Sequence, residues 1–382
     1  MRELETLEAF DEHVRSVGHL RKVAIQGLDL CDRSTLLLEI DVAGATFLGC
    51  VVESQVLRRL HAAGALVFPP FPDVPFRPFR GGLYTGPELF DGYEPGRADT
   101  YPDALDTRVY RWLRQANKRA DVVEQLALRI HDHAIDDALN EFLAENDRHR
   151  RTVAIMGGHG MARDEPAYRD VALLARGLTR SGFVCASGGG PGAMEATNFG
   201  AWMAPHDDGS LDEALEVLGK ASSFEPIPAW LDAAFEVRER WPRSRHTGES
   251  LGVPTWHYGH EPPNLFGSHV AKYFANSIRE EGLLGIALAG VVFAPGSAGT
   301  IQEIFQDAAQ NHYLSFGVAS PMVFFGTRYW TETKPVYPLL QQLAAGREYA
   351  DTLGIEDDVD AIVDLLASSL GSIDDQRRVD ET

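Results

Sequence analysis

Two glycine-rich turns carry the residues most suited to chemistry, and each stands between an apolar run and a stretch of helical period. In one, VVFA from Val291 gives way to Pro295, Gly296, Ser297, Ala298, Gly299 and Thr300, and IQEIFQDAAQ follows. The unbroken apolar run reads as a strand buried on both faces. Small residues let a ligand approach bare backbone, the first N–H groups of a helix lack internal partners, and the helix dipole favours negative charge. The chemistry this predicts is anion binding, with phosphate as the natural ligand. Thr300 adds a hydroxyl there, and Glu303 follows about one turn on. In the other turn, FVCAS leads into Gly188, Gly189, Gly190, Pro191 and Gly192, after which Ala193, Met194 and Glu195 open a helix. Gly157 and Gly158 close a further apolar run, TVAIM, upstream.

The elements that must position these turns follow one grammar: strand, helix, strand, glycine turn, helix. TVAIM is a strand, HGMARDEPAY a loop, and Tyr168 to Gly182 an amphipathic helix with Val171, Leu174 and Leu178 on one face. The prediction is an α/β fold: a Rossmann-like doubly wound parallel sheet flanked by helices, with its ligand beyond the carboxyl ends of the strands. GGGPG is not the dinucleotide fingerprint, and GGHGMA lacks the Lys-Ser/Thr of a P-loop. Further along, LGVPTWHY reads as a strand. EPPNLFGSHVAKYFANSIREEGLL reads as a helix that delivers Arg279 just before the key strand. MVFFG is another strand, and KPVYPLLQQLAA begins a helix. Residues 203–248 read as a helical insertion with a mobile segment over 241–249.

The N-terminal part has a different character. Leu4, Leu7, Phe10 and Val14 predict a short helix over residues 1–16. LRKVAIQGLDL, STLLLEIDVAG and ATFLGCVV read as strands of a small β-rich piece. Its phrases are similar to β-solenoid coils, yet too few for a repeat. VESQVLRRLHAAG is helical. Residues 69–105 are rich in proline and interleaved with Phe71, Phe76, Phe79, Tyr84, Phe90 and Tyr93, so they are expected to wrap a surface rather than form a solvated linker. Residues 102–146 return to helical period, and His131 and His133, two apart, are expected to be solvated rather than metal ligands. The domain plan is an N-terminal β-plus-helix extension over 1–148, the Rossmann-like domain over 149–370, and an acidic tail over 371–382.

With the turns placed, VAIMGGHGMARDEPAY…GLTRSGFVCASGGGPGAMEATNFGA followed by PGSAGTIQE resembles the LOG-type (lysine-decarboxylase-like) family over roughly residues 150–335. Its members are nucleoside 5′-monophosphate phosphoribohydrolases and related nucleotide nucleosidases. The resemblance implies hydrolysis of an N-glycosidic bond, giving free base and ribose 5-phosphate, with neither metal nor redox cofactor. By the same resemblance Glu303 and Arg279 are catalytic, with Lys272 as the fallback cation. Gly188, Gly189, Gly190, Gly192, Met194, Gly296, Ser297, Ala298, Gly299 and Thr300 bind substrate phosphate. Glu195, Gly157 and Gly158 are secondary candidates. Two positions depart from the family pattern: Ser297 stands where PGG has its second glycine, and Glu280 stands where a lysine follows the arginine. A non-catalytic nucleotide- or cofactor-binding sensor or carrier of the same fold is the alternative.

The chemistry agrees with that implication. Cleavage of an N-glycoside passes through an oxocarbenium-like state, which a nearby carboxylate stabilises while it orients a water. An anchored phosphate converts remote binding energy into positioning. An arginine is a poor proton donor, which leaves the acid for the departing base unassigned.

Composition bounds the rest. The chain has 382 residues, 44% hydrophobic and 24% charged, an ordinary globular balance. A net charge of −21 disfavours nucleic acid and anionic membrane as partners. Cys31, Cys50 and Cys185 are too few and scattered for a disulfide framework or zinc site. The acidic start lacks a signal core and no run reaches membrane-spanning length, so a cytoplasmic protein is expected. The resemblance further implies a homodimer or higher homo-oligomer, and the aromatic segment 71–93 offers apolar surface for one.

Overall fold

The computed structural model describes residues 2–116, 121–244, 247–258 and 261–380, with side chains as far as 369. It comprises two units, Met1–Leu83 with Arg108–Asn140, and Tyr84–Thr107 with Glu141–Thr382.

The first unit alternates short strands and helices: β1 (Arg2–Leu4), α1 (Leu7–Val17), β2 (Val23–Gln26), α2 (Ser34–Glu39), β3 (Thr46–Leu48), α3 (Ser54–Ala62) and β4 (Leu66–Phe68). The strands form a parallel sheet in the order β1-β2-β3-β4. Arg2 pairs with Val23, Ala24 with Thr46, and Thr46 with Leu66, one rung about every 20 residues. The chain therefore stacks four solenoid-like rungs where the sequence phrases seemed too few.

Two expectations change here. Thr6 caps α1 by accepting from the Ala9 N–H, so residues 2–4 are free to pair as a strand instead of extending the helix. STLLLE is a helix rather than a strand, because Ser34 turns its hydroxyl back to the Cys31 carbonyl and only Leu37 is buried. Buried Leu30, Leu37, Val42, Phe47, Val56 and Leu60 belong to the core. Part of the proline-aromatic segment closes the carboxyl ends of β2 and β3. Gln26 donates to the Arg80 carbonyl at 2.6 Å, and a Cβ at Gly49, whose φ is 61°, would fall 2.4 Å from the Phe79 ring. Only glycine fits there.

Next in the chain come α4 (Gly86–Leu89), α5 (Leu105–Ala116) and α6 (Val122–Ala144). His131 on α6 is buried, edge-on to Phe76 at 5.4 Å and hydrogen-bonded to Asp132, contrary to the expectation of solvation; His133 is exposed. Burial pulls the His131 imidazole below its ordinary pKa.

The second unit holds a seven-stranded, wholly parallel sheet: β5 (Thr152–Met156), β6 (Val184–Ser187), β7 (Ser250–Gly252), β8 (His269–Val270), β9 (Gly290–Phe293), β10 (Met322–Phe325) and β11 (Leu353–Glu356), ordered β11-β10-β9-β5-β6-β7-β8. The chain grows outward from β5 through β6, β7 and β8, then returns to start β9 on the other side of β5. This is the doubly wound plan, and its switch point lies between β5 and β9. The helices are α7 (Pro166–Arg180), α8 (Ala193–Trp202), α9 (Asp208–Gly219), α10 (Ile227–Arg240), α11 (Asn276–Gly285), α12 (Ala298–Tyr313), α13 (Tyr337–Ala344) and α14 (Val359–Asp380).

α8 is buried along its whole length, among Val153, Ile155, Tyr168, Val171, Leu174 and their neighbours in the core. α9 and α10 are the two helices of the segment read as an insertion. The stretch from Glu261 to Ala275 is not helical: Asn264 accepts from the N–H groups of Phe266 and Gly267, an Asx turn that blocks a helix before β8. Residues 245–246, within the segment read as mobile, lie outside the described residues, as do 381–382 of the acidic end. Backbone helix runs to Asp380 across most of the stretch read as tail. Among the described residues no helix is long and apolar enough to cross a membrane, and no group of three metal-ligating side chains stands together.

Candidate functional site

Three turns follow the adjacent strands β9, β5 and β6, and they interlock. The Gly158 N–H donates to the Pro295 carbonyl at 3.1 Å, and the Ala193 N–H donates to the Gly158 carbonyl at 3.1 Å. Side chains are excluded from the contact: a Cβ on Gly157 would lie 2.6 Å from that of Ala193, and one on Gly192 would lie 2.4 Å from the Gly158 carbonyl oxygen. Gly157 and Gly158 thus act as the floor joining the two phosphate-type turns.

The turn after β6 is set by a buried polar network. The Ser187 hydroxyl donates to Asn198 Oδ1 at 2.9 Å and receives the Gly189 N–H at 3.2 Å. Asn264 donates through its amide to the Gly190 carbonyl at 3.2 Å and to Asn198 Oδ1 at 2.9 Å. Every member is satisfied, which fixes the glycines rather than leaving them loose. Met194 folds back beneath them, its sulfur 2.5 Å from where a Gly188 Cβ would stand. Gly192 holds the N-cap of α8 at φ 68° without any side-chain cap.

The turn after β9 is held from behind. The Tyr329 hydroxyl donates to the Gly296 carbonyl at 2.5 Å and Lys334 Nζ donates to the same oxygen at 2.8 Å. Trp330 Nε1 donates to the Phe293 carbonyl at 2.9 Å. Carbonyls are thereby engaged on the protein side. Ser297, Ala298 and Gly299 stay exposed, and the Ser297 hydroxyl makes no cap to α12. An uncapped N-terminus of a 16-residue helix suits an anion. Thr300 is buried with its hydroxyl oxygen only 2.1 Å from the Cβ position of Gly296, so Gly296 must be glycine for Thr300 to sit there.

α11 and α12 deliver the charged pair. Arg279 donates through Nε to the Val253 carbonyl at 2.9 Å, and Nη2 passes 2.4 Å from the Cβ position of Gly188. Its Nη1 stands 3.7 Å from Glu303 Oε1, with both side chains largely buried. Burial pushes the Glu303 carboxyl up to about 7; Arg279 opposes this, while Glu280 and Glu261 reinforce it. A buried carboxyl pushed up toward neutrality beside an arginine marks this as the candidate site.

Two candidates lie elsewhere. Glu195 is fully buried and both its oxygens are committed, to Arg163 Nη2 at 2.5 Å and Nε at 2.9 Å and to Trp230 Nε1 at 3.1 Å. It is a core ion pair, not a second carboxylate for substrate. Lys272 is buried in an ion pair with Asp106 at 2.5 Å and stacks over Trp256 at 4.9 Å, so it offers no cation to the turns.

The sequence reading missed His159 and Glu261. His159 Nδ1 lies 3.2 Å from Glu261 Oε1, with His159 half-exposed. The GGHG phrase contained His159 in plain view, whereas Glu261 belongs to no motif. Tyr258, Asn276 and Gln302 all donate to Glu280, at 3.2, 2.6 and 3.0 Å, and engage both of its oxygens.

No protein-family model matches the chain, and no curated protein does either. Among solved structures, the molybdenum cofactor binding protein from the phototrophic bacterium Rippkaea orientalis is similar at 13% identity and a TM-score of 0.36, covering 57% of this chain and 96% of that one. The molybdenum cofactor carrier protein from Chlamydomonas reinhardtii is similar at 14% identity and a TM-score of 0.36, covering 58% and 99%. The strand order and turns described above define the class: a Rossmann-like, doubly wound α/β protein with glycine turns at its switch point.

Proposed function

We propose that the chain is a nucleoside 5′-monophosphate N-glycosidase, releasing a free base and ribose 5-phosphate. The observation that carries this is the place of Glu303: largely buried, 3.7 Å from Arg279 and one turn into the helix whose N-cap is Ser297, with burial pushing its carboxyl up to about 7. The phosphate sits at the N-terminus of this helix, on the N–H groups of the exposed Ala298 and Gly299 and of Thr300 behind them. This anchors the ribose so that C1′ faces the Glu303 carboxylate. Ionised Glu303 stabilises the oxocarbenium centre and takes a proton from the attacking water. Arg279 steers Glu303 and neutralises phosphate or ribose oxygens, and a guanidinium is no proton donor to the leaving base.

A second reading is favoured by the engagement of Arg279 with the Val253 carbonyl and by Ser297 in the turn. On that reading the site holds a nucleotide or a phosphate-bearing cofactor without cleaving it, as a carrier or sensor.

One experiment separates them. Purified protein is incubated at stoichiometric concentration with a panel of nucleoside 5′-monophosphates, and free base is followed by chromatography. Release of a base from at least one member is expected. Calorimetric binding with all members intact overnight supports the carrier reading and contradicts the glycosidase.

A further inference from the structure

Departure of a nucleobase places an electron pair on a ring nitrogen, and unless that nitrogen gains a proton the leaving group is poor. Neither Arg279 nor ionised Glu303 supplies one. We propose that His159, oriented by Glu261, is the acid that protonates the departing base; this rests on the glycosidase reading.

The placement of His159 comes from both phosphate-type turns at once. The Gly158 N–H on the Pro295 carbonyl fixes the preceding residue against the turn after β9. A Cβ on Gly192 would lie 2.6 Å from the His159 carbonyl oxygen, so the residue also abuts the turn after β6. From this clamp the imidazole reaches the rim: 53% of the side chain is exposed, with Nδ1 on Glu261 and Phe224 edge-on at 6.3 Å. Glu261 closes the circuit. Its Oε2 stands 3.9 Å from the Cβ position of Gly190, and its charge reaches Glu303. The histidine–carboxylate pair therefore borders the turn after β6 at its exposed rim, and the proposal places the departing base there.

The roles follow from the ring atoms. Glu261 accepts from Nδ1, which fixes the ring and leaves Nε2 as the atom that exchanges protons. In the forward step the C1′–N bond breaks with its electron pair passing to the base nitrogen, which takes the Nε2 proton of the imidazolium. Water adds to C1′ and gives its proton to Glu303. His159 ends neutral and Glu303 protonated, and solvent exchange at the open rim restores both. His159 is thus a catalytic residue and Glu261 a positioning residue.

The test compares two substrates with leaving groups of unlike need. One is the natural monophosphate that the wild type turns over fastest. The other is p-nitrophenyl β-ribofuranoside 5-phosphate, whose phenolate departs without a proton. His159→Gln is expected to lose ~10²-fold in kcat on the nucleotide, within the range of general acid catalysis, and less than about threefold on the aryl riboside. Glu261→Gln should show the same selectivity at roughly tenfold, and Glu303→Gln should lose rate on both. Circular dichroism checks the fold of each variant. A folded His159→Gln that keeps its nucleotide rate within threefold, or loses both substrates equally, overturns the assignment while leaving the glycosidase intact. A wild type that cleaves neither substrate overturns the glycosidase itself.

Discussion

At the scale of single residues, the burial of Glu303 sets stability against the role proposed for it. Burial pushes its carboxyl up to about 7, above the ordinary glutamate value of 4.5, and Arg279 only partly offsets this. A carboxyl raised in this way stabilises the fold fully below pH 4.5, and that contribution is lost as pH rises through 7. Glu303→Gln should therefore raise the melting temperature at pH 8 and have little effect at pH 4. The gain should be on the order of 2 kcal/mol, measured by denaturant unfolding at both pH values. A destabilised Glu303→Gln at pH 8 contradicts the burial argument. On the glycosidase reading the same ionisation sets an acid limb on activity: kcat/KM should climb as pH rises toward about 7, because only the carboxylate would stabilise an oxocarbenium centre.

At the scale of elements, the parallel grammar from β5 to α8 and from β9 to α12 was legible because buried parallel strands are continuous apolar runs and the turns between them demand glycine. The N-cap of α8 is the sharpest case. Gly192, at φ 68°, would carry a Cβ into the Gly158 carbonyl. Gly192→Ala should cost roughly 1–3 kcal/mol and weaken phosphate binding through both turns. An unchanged urea midpoint would show that the turns are not interlocked. Other elements were not legible. α2 offered an apolar run that fits strand or helix, and only tertiary burial decided between them. β8 has two residues, too few for a period, and Asn264 overrode the helical reading before it. Glu195, one turn past a glycine turn, stood only as a secondary candidate beside a packing role; the partners that settle it in the core, Arg163 and Trp230, come from distant segments that no local pattern reveals. Tyr329 and Lys334, which hold the Gly296 carbonyl, were hidden for the same reason.

At the scale of the whole molecule, the resemblance implies self-association, and α12 supplies surface for it. Phe305 and Tyr313 on that helix and Phe316 just beyond are exposed, Tyr313 at 78%. Light scattering at micromolar concentration should give twice the monomer mass, and Tyr313→Asp should shift it toward the monomer. A monomeric wild type contradicts this. The central claim concerns Glu303 on the same helix, proposed to do the chemistry while the turns bind the phosphate. Its most direct test is a paired measurement on Glu303→Gln: turnover of the best nucleoside 5′-monophosphate by chromatography, and its affinity by calorimetry. The account predicts that turnover falls by at least ~10²-fold while affinity is kept or slightly improved. Full turnover in the folded variant would contradict it.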